Sequence, residues 1–167
     1  GPSKQGAGGF YFKLGSVSNI TVRNNTAVTN NAGRIIFLDS YSGGSMNSHE
    51  VCWNNLRCSW SEGAIIVGSG NAGSYTGRWL YRNTIQAVGS VPCVTLGTNE
   101  TINVDMENNV YVHNGTYTNG ILKTGYLGTL TQTNQLSSAN VGYTDSSGYL
   151  SGTYRTSYLG INGWEVA

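Results

Sequence analysis

Asp105 and Glu107 stand two residues apart, a spacing that on a β-strand turns both carboxylates to one face. Glycoside hydrolysis needs two acidic residues at a defined separation, roughly 5 to 9.5 Å, although exposed acidic pairs on strands are also common as merely solvated residues. The basic residues offer a second chemistry. Removal of a proton beside a uronate carboxylate needs a base, and positive charge to neutralise the acid. Arg34, His49, Arg78 and Arg82 are the available set. His49 and His113 share no repeat position and form no metal or triad spacing, and a lone strand-end histidine is more often a surface residue than a base. No Gly-x-Ser-x-Gly, phosphate-loop or zinc-helix signature occurs.

These residues are positioned by a repeat. Ile20-Thr-Val-Arg-Asn-Asn25, Glu50-Val-Cys-Trp-Asn-Asn55, Arg78-Trp-Leu-Tyr-Arg-Asn83 and Val104-Asp-Met-Glu-Asn-Asn109 are four copies of one pattern. Aligned on the last asparagine they recur every 30, 28 and 26 residues or about that, a period typical of stacked repeats. Each copy alternates at period two and reads as a short strand. A second series precedes the copies: Phe10–Leu14, Arg34–Leu38, Ala64–Val67, Cys93–Leu96 and, as a fifth member, Gly120–Lys123. Two strand series at one repeat length predict coils in which equivalent residues form columns.

A strand closing on Asn-Asn and followed by a small or β-branched residue resembles the turn of right-handed parallel β-helix proteins of the pectate-lyase-like superfamily. The resemblance implies an inward asparagine ladder at Asn25, Asn55, Asn83 and Asn109, since a side-chain amide both donates and accepts. The stretch Gly148-Tyr-Leu-Ser-Gly-Thr153 followed by Leu159-Gly-Ile-Asn-Gly-Trp164 is similar to the closing segment of many bacterial β-helix domains. The expected fold is therefore all-β, a right-handed parallel β-helix. Residues 1–8 form a tag scar or lead-in, residues 9–125 the coils, and residues 126–167 an irregular closing segment of the same domain. With fewer coils than the full enzymes of that superfamily, the chain is expected to correspond to the C-terminal part of a longer protein.

The same alignment sorts residues by face. Val22, Cys52, Leu80 and Met106 fall in one inward column, and Ile20, Glu50, Arg78 and Val104 in another, where Glu50 and Arg78 become neighbours: an ion pair at a coil corner, or a catalytic acid held by an arginine. Thr21, Val51, Trp79 and Asp105 fall outside, as do Arg23, Trp53, Tyr81 and Glu107. Trp53, Trp79 and Tyr81 would then share an aromatic patch suited to sugar rings, with Arg34 and Arg82 beside it, or equally to a protein interface. A further outward stripe, Tyr11, Ile35, Ala64 and Cys93 beside Lys13, Phe37, Ile66 and Thr95, is too apolar for free solvation. Either the loops of residues 40–48 and 69–76 or a partner must cover it.

Composition narrows the partners. Only 10% of the residues are charged and the net charge is +1, with no basic run, so nucleic acid is set aside. No apolar stretch approaches the roughly 18 residues of a membrane span. Cys52, Cys58 and Cys93 lack zinc-type pairing; Cys52 reads as a buried small residue, with a Cys52–Cys58 bridge as the alternative. No metal or cofactor is expected; calcium is the alternative left open, with nothing in the sequence to support it. The leading expectation is an extracellular or secreted carbohydrate-active module, part of a polysaccharide lyase or glycoside hydrolase, with an extended polysaccharide as partner. The alternative is a structural or adhesive β-helix on a virion or cell surface, which binds glycan or assembles with identical subunits or with the N-terminal half of a longer β-helix.

Overall fold

The computed structural model describes residues 10–14, 17–29, 33–40, 46–68, 75–97, 103–113, 115–133 and 136–139. They form three sheets, and every strand pairing in them is parallel. The first sheet holds β1 (Phe10–Leu14), β5 (Ile36–Ser40), β8 (Ile65–Val67), β11 (Val94–Leu96) and β14 (Ile121–Lys123). The second holds β2 (Val17–Ser18) and β3 (Thr21–Arg23), both against β6 (Met46–Cys52), then β9 (Tyr75–Tyr81), β12 (Val104–Glu107) and β15 (Leu130–Thr133). The third holds β4 (Thr26–Thr29), β7 (Asn55–Cys58), β10 (Thr84–Ala87), β13 (Val110–His113) and β16 (Leu136–Ala139). Each circuit of the chain visits the three sheets in the same order. Among the described residues there is no α-helix, only a 3-10 turn at Thr118–Gly120.

All five members of the series that begins at Phe10 lie side by side in the first sheet. Their alternate residues make the core columns Phe10, Ile36, Ile65, Val94, Ile121 and Phe12, Leu38, Val67, Leu96. The third sheet was absent from the sequence reading. It adds Ala27, Leu56, Ile85 and Tyr111 to the same interior. Strands β15 and β16 fall in the span expected to be irregular, so regular pairing runs on to Ala139. The stretch resembling a closing segment, residues 148–164, lies outside the described residues, as do the tips of the two loops, residues 41–45 and 69–74.

The asparagine ladder exists, with one change of register. Asn25, Asn54, Asn83 and Asn109 form it: each Nδ2 donates to the next Oδ1 at 2.9 Å, and each backbone N–H donates to the same oxygen at 3.0–3.2 Å. Asn55 is not a member. It opens β7, opposite Thr26 and Thr84. The ladder repeat is thus 29, 29 and 26 residues. Because side chains alternate along a strand, the slip turns every assignment around Glu50 to the other face. The inward column is Val22, Val51, Leu80 and Met106, all 1–3% exposed. His49, not Glu50, stands opposite Arg78, and Glu50 faces position 79, so the register does not make Glu50 and Arg78 neighbours in one column.

The residue before each ladder asparagine makes the corner. Asn24, Trp53, Arg82 and Asn108 all have φ between 53° and 59°. Asparagine tolerates this left-handed conformation, whereas Trp53 and Arg82 adopt it at a cost of about 1–2 kcal/mol each. In return the chain turns sharply and aims the amide inward, where its bonds are made out of water.

The first sheet also corrects the predicted outer stripe. Ile35, Ala64 and Cys93 are fully buried members of the interior core, joined by backbone bonds Ile35 N–H to Ala64 O and Ala64 N–H to Cys93 O, both 3.0 Å. Phe37, Ile66 and Thr95 do form an outer column, and the chain itself covers it: Phe37 is 0% and Ile66 2% exposed. Part of the cover is the turn before β8, whose Glu62 carbonyl accepts from Thr95 Oγ1. That turn depends on Gly63, with φ +90° and space for a β-carbon only 2.7 Å from the Pro92 carbonyl oxygen. We expect Gly63→Ala to cost about 2 kcal/mol or more, read as a lower urea midpoint with an unchanged slope; an unchanged midpoint would mean the turn relaxes freely.

Candidate functional site

The second sheet presents its outer side through two columns. One runs through Thr21, Glu50, position 79 and Asp105, the other through Arg23, Cys52, Tyr81 and Glu107. Their neighbours along each strand are the core residues Val22, Val51, Leu80 and Met106, so alternation alone sends the described side chains of these columns away from the interior. Glu50 is exposed, and Asp105, Tyr81 and Glu107 are half-buried. In-register strands lie about 4.8 Å apart, which separates the Glu50 and Asp105 Cα atoms by about 9.6 Å, and Asp105 and Glu107 by about 6.7 Å along their strand.

Tyr81 links the two columns. Its hydroxyl donates to Glu50 Oε2 at 3.2 Å, and its side chain is in hydrogen-bonding contact with the Cys52 thiol. That contact, then burial and the Glu50 charge, hold the phenol far above its ordinary pKa, so Tyr81 is a donor and not a base. Cys52 belongs to an outward column yet is 2% exposed, and burial pushes its thiol up. Cys52, Cys58 and Cys93 are all free and buried, so no Cys52–Cys58 bridge forms.

At the rim of this face the two left-handed corner residues on consecutive coils stack: the Arg82 guanidinium lies over the Trp53 ring at 4.7 Å. Such a contact is worth about 0.5–1 kcal/mol at an exposed site, and it makes a planar amphipathic surface with free N–H donors at its edge. On the carboxylate side, Glu107 Oε1 accepts from Asn108 Nδ2 at 3.1 Å.

The remaining candidates lie elsewhere. His49 is 1% exposed, and its Nδ1 accepts from the Ile20 N–H at 3.0 Å, a bond that bridges the first and second coils. Arg34 lies two residues before β5, with its guanidinium bound to Glu62 at 2.6 and 3.1 Å and lying over Phe37 at 4.4 Å. The side chains of Arg78 and Trp79 lie outside the described residues; the backbone register sets Arg78 opposite His49 and Val104. The fold therefore gathers Glu50, Asp105, Glu107, Tyr81, Trp53 and Arg82 on one side, and leaves Arg34 and His49 apart. Glu50 is the site residue that the sequence reading put on the wrong face. The apolar residue three before each ladder asparagine, Val51 included, is the signal that would have found it.

His113 is 4% exposed, with Nδ1 accepting from Gly115 N–H at 3.0 Å, and burial lowers its pKa below the ordinary histidine value. A lowered folded pKa means that protonation favours the unfolded chain. The stability it contributes is complete above roughly pH 6.5 and is lost as pH falls through the lowered folded value. We expect the melting temperature to fall between about pH 7 and about pH 5, and the fall to be shallower in His113→Gln. Parallel curves for the two proteins would remove His113 from the account.

No protein-family profile, no curated protein and no solved structure matches the chain. Among the described residues no group of three or more His, Cys, Asp or Glu side chains is placed to hold a metal ion. No helix among them is long and apolar enough to cross a membrane.

Proposed function

We propose that the chain is an extracellular carbohydrate-active module built as a right-handed parallel β-helix of the pectate-lyase-like kind, and that an extended polysaccharide lies across the outer side of the second sheet. The observation that carries this reading is the convergence of Glu50, Asp105 and Glu107 on that side, with the Trp53–Arg82 stack at its rim. Hydrolysis is favoured over elimination. A lyase reading depends on His49 and the arginines, but His49 is buried against Ile20, and Arg34 is paired with Glu62 in the segments that lead into the first sheet. Glu50 and Asp105 sit at a backbone separation of about 9.6 Å, close to the upper carboxyl separation of inverting glycosidases, and Asp105 and Glu107 at a separation near its lower limit. In such a site one carboxylic acid protonates the leaving oxygen while the other, as a carboxylate, activates water. The Tyr81 hydroxyl would orient Glu50.

One observation favours a second reading. Glu50 accepts from Tyr81, and the Trp53 face is covered by Arg82, so the surface is pre-ordered for contact without any acid or base. A structural or adhesive β-helix would bind glycan there and leave it intact. Incubation with neutral and uronate-containing polysaccharides, following new reducing ends and unsaturated sugars separately, distinguishes hydrolysis, elimination and binding alone.

A further inference from the structure

The asparagine ladder has a direction. Asn25, Asn54 and Asn83 each pass an amide hydrogen to the following coil through the next Oδ1, and Asn54, Asn83 and Asn109 also reach backward. Asn54 Nδ2 donates to Val22 O at 2.9 Å, Asn83 Nδ2 to Val51 O at 2.7 Å and Asn109 Nδ2 to Leu80 O at 2.6 Å. In each case the acceptor is the carbonyl three residues before the previous ladder asparagine. Asn25 departs from this pattern. Its second amide hydrogen goes to Arg23 O of its own coil at 2.9 Å, and no described residue donates to its Oδ1.

The rest of the first coil shows the same incompleteness. Among the described residues, strands β1, β3 and β4 each pair on one side only. Phe10, Phe12, Ile20 and Ala27 are only partly buried, although the residues behind three of them, Ile36, Leu38 and Leu56, are 0% exposed. Polar and apolar columns thus end together at one edge, and the edge carries a specific hydrogen-bond code: one side-chain acceptor at Asn25, and one amide hydrogen able to turn from Arg23 to a carbonyl above it.

We infer that this edge is a docking surface for a further in-register parallel coil whose turn asparagine donates its N–H and Nδ2–H to Asn25 Oδ1. The carbonyl three residues before that asparagine accepts from Asn25 Nδ2. A second copy of this chain fits less well. At its far end the inward column of Val22, Val51, Leu80 and Met106 passes to Gln132, so stacking copies would set a polar side chain against Val22 in the interior.

The chain supplies its own probe, since residues 36–64 are one coil containing Asn54. A synthetic peptide of residues 36–64 is added in excess to the intact chain; separately, the same residues are fused directly ahead of Phe10. Hydrogen exchange is read at Phe10–Leu14, Thr21–Arg23 and Thr26–Thr29. Docking predicts exchange slowed by about tenfold or more at these edge amides in the fusion, with the peptide acting in the same sense, and a much smaller effect when the added coil carries Asn54→Leu. A cooperatively folded fusion without protection overturns the inference. So does equal protection by the Asn54→Leu coil, or protection of the unmodified chain that grows with its own concentration, which would make the occupant a second copy.

Discussion

Asn54→Ala is expected to destabilise the protein by about 3–5 kcal/mol, whereas Asn55→Ala, one residue away, should cost less than about 1 kcal/mol. Asn54 is fully buried. Its removal deletes two donated bonds, to Asn83 Oδ1 and Val22 O, and takes away the acceptor that serves both the backbone N–H and Nδ2 of Asn25. The groups left unpaired in the interior carry the larger share of the cost, at about 1–3 kcal/mol each. Asn55 is half-buried on β7, and its backbone N–H bond to Asn25 O survives truncation. For a chain of this length the difference between the two variants is roughly 4–20 °C in melting temperature. A larger loss in Asn55→Ala would restore the register that the Asn-Asn pattern suggests and return Glu50 to the interior.

The largest expected effect on activity is at Asp105. It shares a column with Glu50 and a strand face with Glu107, so it takes part in either carboxylate pairing that the face allows. Asp105→Asn should lower hydrolysis by about 10²–10⁴-fold, the usual contribution of a positioned acid or base, with the melting temperature unchanged because the side chain is outside the core. Glu50→Gln and Glu107→Gln then separate the pairings. If Glu50 is the partner, its variant falls as far as Asp105→Asn while Glu107→Gln retains most activity, and the product is inverted. Tyr81→Phe removes the hydroxyl that orients Glu50 and should have a smaller effect of the same sign. Equal activity in all four variants would exclude this face as the reaction site.

The legible and illegible parts of the sequence differ for a physical reason. The first-sheet strands were found because runs such as Ala64-Ile-Ile-Val67 are continuous apolar segments bounded by glycine. The third-sheet strands were missed because Thr26–Thr29, Asn55–Cys58 and Thr84–Ala87 are four-residue segments in which two polar residues accompany only two apolar ones, too short a run to show a period. The ladder was legible as a motif but ambiguous in register, since Trp53-Asn54-Asn55 offers two asparagines. Packing resolves it. The residue two after the true ladder position is Ala27, Leu56, Ile85 or Tyr111, all facing the interior; two after Asn55 comes Arg57. The Arg34–Glu62 pairing and the Trp53–Arg82 stack were not legible, because both join residues a coil apart, at positions that only the left-handed corner and the turn before β8 bring together.

The most direct test of the account is product formation from a panel of neutral and uronate-containing polysaccharides. New reducing ends without unsaturated-sugar absorbance, abolished by Asp105→Asn, are the predicted result. Unsaturated products would move the chemistry to the arginines. No product, with no retention on any polysaccharide in affinity electrophoresis, would contradict a carbohydrate-active role for this face altogether.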